Sequence, residues 1–447
     1  MASAVGSCAA AQKASAVGSC AAAQKASAVG SCATAQKANA VGSCATAQNA
    51  VEESDLNDLF ESICILTQAY IQLNLNQYIQ PSFHSNAVKD IVSMLKQTDI
   101  DLDTATLEKE VERGLSVFYK HIAPPRSNGP TFIRIKPNVD KLRKKISYLQ
   151  SVPQPEQRTN EWYEFRYKHL TASNIWKIFI SDSTRNQLIF EKCQPLNASK
   201  FSNVSLESPM HWGQKYEPVS VMLYEHMYST KVSDFGCIPH RTLDFLAASP
   251  DGIVTQETSS RYGRMLEVKN IVNREITGIP KMEYWVQMQL QMEVCELNEC
   301  DFLETRFQEY PSKEAFVEDN TTEYKGVMLL FMTGSGKPVY EYAPLSMQTY
   351  DDWQEEMMEK NQTLTWIKTI YWKLDQLSCV LVLRHKMWFA SVIPQLKDIW
   401  ATIEREKEEG YGHRVPKKAG IKVKKLYNNG EDDITMKSQC FINISNL

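Results

Sequence analysis

In SPDGIVTQETSSRYGRMLEVK, residues 249–269, Asp251 stands directly before Gly252, and Glu267 and Lys269 flank Val268 inside Leu266-Glu267-Val268-Lys269. Alternate side chains of a strand share a face, so a strand over 265–269 points Glu267 and Lys269 the same way and Val268 the other. A tight turn or hairpin at Asp251-Gly252 brings the aspartate carboxylate beside Glu267 on the neighbouring strand. Such a pair supplies the hard oxygen ligands that Mg²⁺ prefers and leaves positions open for water and phosphate oxygens. The bound ion lowers the pKa of its water and neutralises charge in the transition state. Lys269 is placed to orient that water or to stabilise developing negative charge. The set suits phosphodiester hydrolysis.

The Glu-x-Lys triplet alone is uninformative. With this charged content it is expected on the order of two times by chance, and Glu323-Tyr324-Lys325 repeats it. The bland account of that second copy is an exposed strand pair. What separates Glu267 from it is the upstream Pro250-Asp251-Gly252 and a set of further companions.

The bulk numbers set limits. A chain of 447 residues with 43% hydrophobic side chains can bury a large core, and a formal charge of −4 excludes a protein that coats nucleic acid through a global positive field. Any nucleic-acid contact must come from a local groove. Four of the eleven cysteines lie in an N-terminal repeat, and the others show no CxxC or Cys/His ligand spacing, which predicts reduced thiols. Neither a membrane-length apolar run nor a signal peptide is evident, so an intracellular protein is expected, not secreted, in the host cytoplasm or nucleus if viral.

Four regions follow along the chain. Residues 1–50 repeat a twelve-residue unit of small side chains and are expected to be disordered. Residues 51–150 show helical periodicity and predict an N-terminal helical domain. Residues 151–410 alternate helical and strand-like runs. Strands are expected near Phe245–Ala248, Met265–Lys269, Phe302–Phe307 and Val327–Met332. Helices are expected at Glu161–Phe179, Gly213–Tyr228, Met282–Cys295, Tyr350–Trp372 and His385–Glu409. Burial is expected for Trp353, Trp366, Trp372, Trp388 and Trp400. Residues 411–447 form a basic tail with Lys417, Lys418, Lys422, Lys424 and Lys425, read equally as a solvated face or as a phosphate-tracking arm or nuclear address.

The companions are Trp212-Gly213-Gln214-Lys215-Tyr216-Glu217-Pro218, Arg166 with Leu170-Thr171-Ala172-Ser173, and Tyr284-Trp285-Val286-Gln287-Met288-Gln289. With these, roughly Pro153 to Tyr310 resembles the lambda-exonuclease-like nucleases, or YqaJ-type viral recombinases, of the PD-(D/E)xK superfamily. Lys269 through Phe307 looks especially like versions from large double-stranded DNA viruses. The resemblance implies an α/β, restriction-endonuclease-like core: a central mixed β-sheet flanked by helices, with the N-terminal helical domain and C-terminal helices around it. It implies catalytic roles for Glu217, Asp251, Glu267, Lys269 and Gln287. Asp251, Glu267, the carbonyl of Val268 and Glu217 would hold Mg²⁺, with Mn²⁺ as a substitute, and Arg166, Ser173 and Ser249 would hold a terminal phosphate. A guanidinium with hydroxyls is a sound phosphate clamp. Trp212 stands where phage members often carry a basic residue, which puts a phosphate contact there in doubt.

The implied activity is a metal-dependent DNA exonuclease that resects one strand of a double-stranded end for recombination or genome processing. A single-strand annealing protein is then an expected partner, and a homotrimeric ring an assembly to consider. The rivals are a structure-specific or nicking endonuclease on the same fold and a catalytically silent DNA-binding scaffold. Taken singly, Arg166 could pair with a core acid, Ser173 could cap a helix, and Tyr284, Trp285, Met288 and Met292 could be helix-face packing.

Overall fold

The computed structural model describes residues 43–415, apart from 99, 101, 130–136, 197–205, 207 and 348. Two compact units divide the chain, residues 1–59 and 60–447. The helix Ser43–Leu73 begins inside the last repeat. Of residues 1–50, for which disorder is expected, 1–42 lie outside the described residues, as does the basic tail from 416, while 43–50 belong to that helix.

Among the described residues ten strands, β1 (Leu170–Thr171), β2 (Val232–Ser233), β3 (Ile238–Pro239), β4 (Leu246–Ala248), β5 (Gly252–Val254), β6 (Met265–Asn270), β7 (Glu299–Glu309), β8 (Lys325–Met332), β9 (Pro338–Tyr342) and β10 (Thr365–Leu383), form two sheets. The larger runs β2-β5-β6-β7-β10-β8-β9, and the smaller β1-β4-β3. In the larger sheet β6 and β7 are parallel and the remaining neighbours antiparallel. This is the central mixed sheet with covering helices that the alternating pattern predicts.

The parallel β6/β7 step needs a crossover, and the helix Met282–Cys295 supplies it. Trp285, Met288 and Met292 on that helix are fully buried, which confirms their packing role. The helix Pro209–Met227 starts at the Ser208 cap, whose side chain accepts from the His211 N–H. It lies along β6 and β7, with Tyr216 stacked on Phe307 at 4.6 Å and the Tyr224 hydroxyl donating to Asp301 at 2.6 Å.

Three expectations fail. Residues 350–372 are not one helix: a helix spans Asp351–Lys360, and β10 begins at Thr365 and runs 19 residues between β7 and β8. Thr365, Ile367, Thr369 and Ile370 are β-branched and lie in the part of β10 that pairs with β8, while β7 pairs with the strand from Trp372 onward, and this ladder engages the backbone as a helix would. Trp366 is 49% exposed and Trp400 half-buried, contrary to the burial expected of them, whereas Trp353, Trp372 and Trp388 are buried. The helix expected over Glu161–Phe179 breaks where β1 pairs in parallel with β4, leaving Asn160–Tyr167 and two short turns, Ala172–Ile175 and Lys177–Ile180.

The N-terminal helices pack onto the same unit as the sheet. Arg126 is buried and donates to the carbonyls of Tyr78, Ile79 and Pro280, and its own carbonyl accepts from Trp285 Nε1 at 3.0 Å. Multiple carbonyl acceptors make that burial of charge tolerable.

Candidate active site

β5 pairs with β6 only through Gly252 opposite Leu266 and Ile253 opposite Met265. A Cβ at Gly252 would lie 2.2 Å from Val232 Cγ1, so glycine is required for β2 to approach. Beyond Leu266 the β5 side of β6 has no strand partner. There the Asp251 side chain takes over: its Oδ2 accepts the Val268 N–H at 2.8 Å. A residue's N–H and C=O lie on the same strand edge, so the Val268 carbonyl faces this edge too.

Glu267 is completely buried, and each of its oxygens is held. Oε1 accepts from Lys269 Nζ and from Gln287 Nε2 at 2.7 Å; Oε2 accepts from Gln291 Nε2 at 2.7 Å. Gln291 also donates to the Ser249 carbonyl at 3.1 Å, tying the loop before Asp251 to the same helix. Sequence reasoning missed Gln291. Its signal was spacing, since it lies one helical turn after Gln287 and shares its face. Gln289 instead binds the Leu383 carbonyl and the His385 N–H, away from the site.

Glu217 is positioned by an anchor just past Lys269. Asn270 Nδ2 donates to the Gly213 carbonyl at 2.8 Å, and its Oδ1 accepts from Ser220 and Thr305, both at 2.7 Å. These bonds dock the helix carrying Glu217 on the end of β6. Glu217 and Asp251 line two cavities. One, about 280 Å³, also contains Lys269, the Val268 backbone region and Tyr284; the other, about 590 Å³, contains Arg158. Lys269 Nζ lies 5.2 Å from the Tyr284 ring centroid, so that tyrosine walls the cleft and is not mere packing.

The acids interact. Burial pushes the Asp251 carboxyl well above its ordinary range; the Glu267 charge adds to this, and Lys269 partly offsets it. Burial also raises Glu217, against the pull of Arg158 and Lys269. For Lys269, burial works against the charge, but Glu267 and Asp251 outweigh it and the net shift is upward, so the side chain stays an ammonium. Among the described residues no three His, Cys, Asp or Glu side chains already cluster as a metal cage. Two hard carboxylates beside an outward carbonyl nonetheless match Mg²⁺, which uses one or two carboxylates and fills its shell with water and phosphate oxygens.

Arg166 and Ser173 meet: the guanidinium donates to Ser173 Oγ at 2.7 Å and lies 4.2 Å from the Trp162 ring centroid. Neither contact is with a carboxylate, so the alternative in which Arg166 pairs with a core acid is not seen among the described residues. The Ser249 hydroxyl is buried without a well-formed hydrogen bond, next to the Cys237 thiol, which in turn feels the charge of Arg166. The decoy triplet is spent on structure, with Lys325 donating to the carbonyls of Phe316 and Asp319.

Residues 161–298 match the YqaJ-like viral recombinase domain. All the site residues expected from sequence lie within that stretch. An uncharacterized protein of Acanthamoeba polyphaga mimivirus is 29% identical to this chain over 303 residues. The alignment covers 57% of this chain and 54% of that protein, so the chain spans about half the length of the curated relative it matches. An alkaline exonuclease from Laribacter hongkongensis aligns over 56% of this chain and 95% of its own at 20% identity, with a TM-score of 0.34. A phage-related exonuclease from Haemophilus somnus aligns over 62% and 95% at 12% identity, with a TM-score of 0.27. The matched stretch thus includes β1 to β6 and the crossover helix, while β7 to β10 complete the sheet outside it.

Proposed function

We propose that this chain is a Mg²⁺-dependent deoxyribonuclease, an exonuclease that resects one strand from double-stranded DNA ends in recombination or genome processing. The observation that supports it is the convergence of Asp251, Glu267 and Lys269 at the open edge of β6, inside the stretch that matches the YqaJ-like domain. Asp251, Glu267, the Val268 carbonyl and Glu217 would hold the ion. When bound, it supplies an acidified water and charge neutralisation on the phosphate. Gln287 and Gln291 fix the Glu267 carboxylate so that its lone pairs stay directed into the site. Lys269 holds a proton at Nζ and orients the attacking water or stabilises charge on the phosphate oxygens. Arg166, Ser173 and Ser249 would receive the terminal phosphate, which favours attack from a strand end. Mn²⁺ would substitute for Mg²⁺. A single-strand annealing protein as partner and a homotrimeric assembly belong to the same proposal.

The test is degradation of end-labelled linear duplex and of closed circular DNA by the wild type and Lys269→Ala, in Mg²⁺ and in chelator. Linear duplex should be degraded from its ends while circles persist. Activity should vanish in chelator and fall at least about 10²-fold in the variant. Unchanged activity in either condition rejects the site, and rapid cutting of circles replaces the exonuclease with an endonuclease.

A further inference from the structure

Among the described residues three non-glycine positions have positive φ: Arg158 (69°), Ser229 (47°) and Glu296 (51°). Ser229 and Glu296 follow the helices Pro209–Met227 and Met282–Cys295, where a left-handed residue closes the last turn. Arg158 has no such excuse. It precedes Thr159, the N-cap of the helix Asn160–Tyr167, and its Cβ crowds its own carbonyl in a conformation glycine would adopt freely.

The strain is imposed by a pinned loop. Gln154 Oε1 accepts the Gly236 N–H at 2.7 Å, Gln157 Nε2 donates to the Phe235 carbonyl at 3.0 Å, and the Thr159 hydroxyl donates to the Glu156 carbonyl at 2.8 Å. The result is a guanidinium aimed into the cavity of about 590 Å³, where it is the one cationic side chain among the lining residues. The guanidinium donates to Glu217 Oε2 at 3.4 Å, near the limit of such contacts, and the side chain is 49% exposed. A five-donor fork held by one long contact keeps most of its donors for another acceptor.

Glu217 and Asp251 line both cavities, with Lys269 in one and Arg158 in the other. A phosphodiester chain lying across these acids would meet a cation on each side. Resting on the nuclease reading above, we infer that Arg158 is a further DNA-binding residue, contacting a backbone phosphate on the side of the catalytic carboxylates opposite Lys269. The strained backbone is retained because glycine, better for the loop, would remove that contact.

The experiment measures binding of a 5′-phosphorylated blunt duplex to the full chain in chelator across a salt series, for the wild type, Arg158→Gly, Arg158→Gln and Arg158→Lys. Arg158→Gly should melt no lower than the wild type, so weaker binding by it is not a folding defect. We expect Arg158→Gly and Arg158→Gln to bind about tenfold more weakly at low salt. Their slope of log K against log salt should be shallower by about 0.7 to 0.9, the share of one phosphate. Arg158→Lys should keep the wild-type slope. Wild-type affinity and slope in the glycine and glutamine variants would overturn the inference, as would a lysine variant whose slope matches theirs. A wild type that binds the duplex but degrades none of it in Mg²⁺ would instead count against the nuclease reading and leave the binding comparison standing.

Discussion

Asp251 Oδ2 accepts the backbone N–H of Val268 at 2.8 Å, so the aspartate completes the edge of the strand that carries Glu267 and Lys269. One bond therefore fixes both the register of the loop and the separation of the acids. Asp251→Asn keeps an acceptor for that N–H and removes a carboxylate that burial and Glu267 push towards protonation. The variant should lose at least about 10²-fold in nuclease activity. In chelator at neutral pH it should unfold at a higher temperature than the wild type, by roughly 1 kcal/mol, because a repelled buried charge is gone. A lower melting temperature would show that the carboxylate is not under the strain inferred here.

Gln287 and Gln291 act on opposite oxygens of a fully buried glutamate. Gln291→Ala leaves Oε2 without its donor, at about 1 to 3 kcal/mol of stability, and activity should fall about 10- to 100-fold. Gln289→Ala is the control on the same helix. It should lose stability of similar size through Leu383 and His385 while keeping activity in the folded protein. Equal losses of activity in the two variants, measured well below their melting temperatures, would remove the special role of Gln291.

Arg166 touches Ser173 and Trp162, and it has no carboxylate partner among the described residues. Arg166→Ala should therefore act on end recognition rather than on the chemistry. Wild type should prefer 5′-phosphorylated over 5′-hydroxyl ends, and the variant should lose that preference. The expected loss is roughly 1.5 to 3 kcal/mol of discrimination, the scale of a hydrogen bond to a charged group. Persistence of the preference would reject the clamp.

His385 is buried, accepts the Trp388 N–H on Nδ1 and packs edge-on against Tyr78. Burial pushes its pKa down to about 4. The unfolded chain, with an ordinary imidazole near 6.5, thus binds the proton more readily. Stability from the neutral ring is fully present above about pH 6.5 and is lost as pH falls from there towards 4, by about 3 kcal/mol in all. Chemical denaturation at pH 7.5 and 5 should show a larger loss for the wild type than for His385→Gln. An identical pH dependence would mean that the ring titrates normally.

The face shared by Glu267 and Lys269, the proximity of Asp251 and the crossover helix over 282–295 were legible in the chain. Strand alternation, a turn before Gly252 and helical periodicity are local properties that each segment carries with it. β10 was not legible, because residues 365–372 offer both aromatic spacing that fits a helix and the β-branched content of a strand. The choice rests on pairing with β8, and from Trp372 onward with β7, both contributed by segments distant in the chain. The same holds at the site. Sequence supplied the acids and the lysine. Tertiary structure alone decided that Gln291 holds the second oxygen of Glu267, that Asn270 docks the helix of Glu217, and that a pinned loop turns Arg158 towards those acids, since each depends on distant segments meeting.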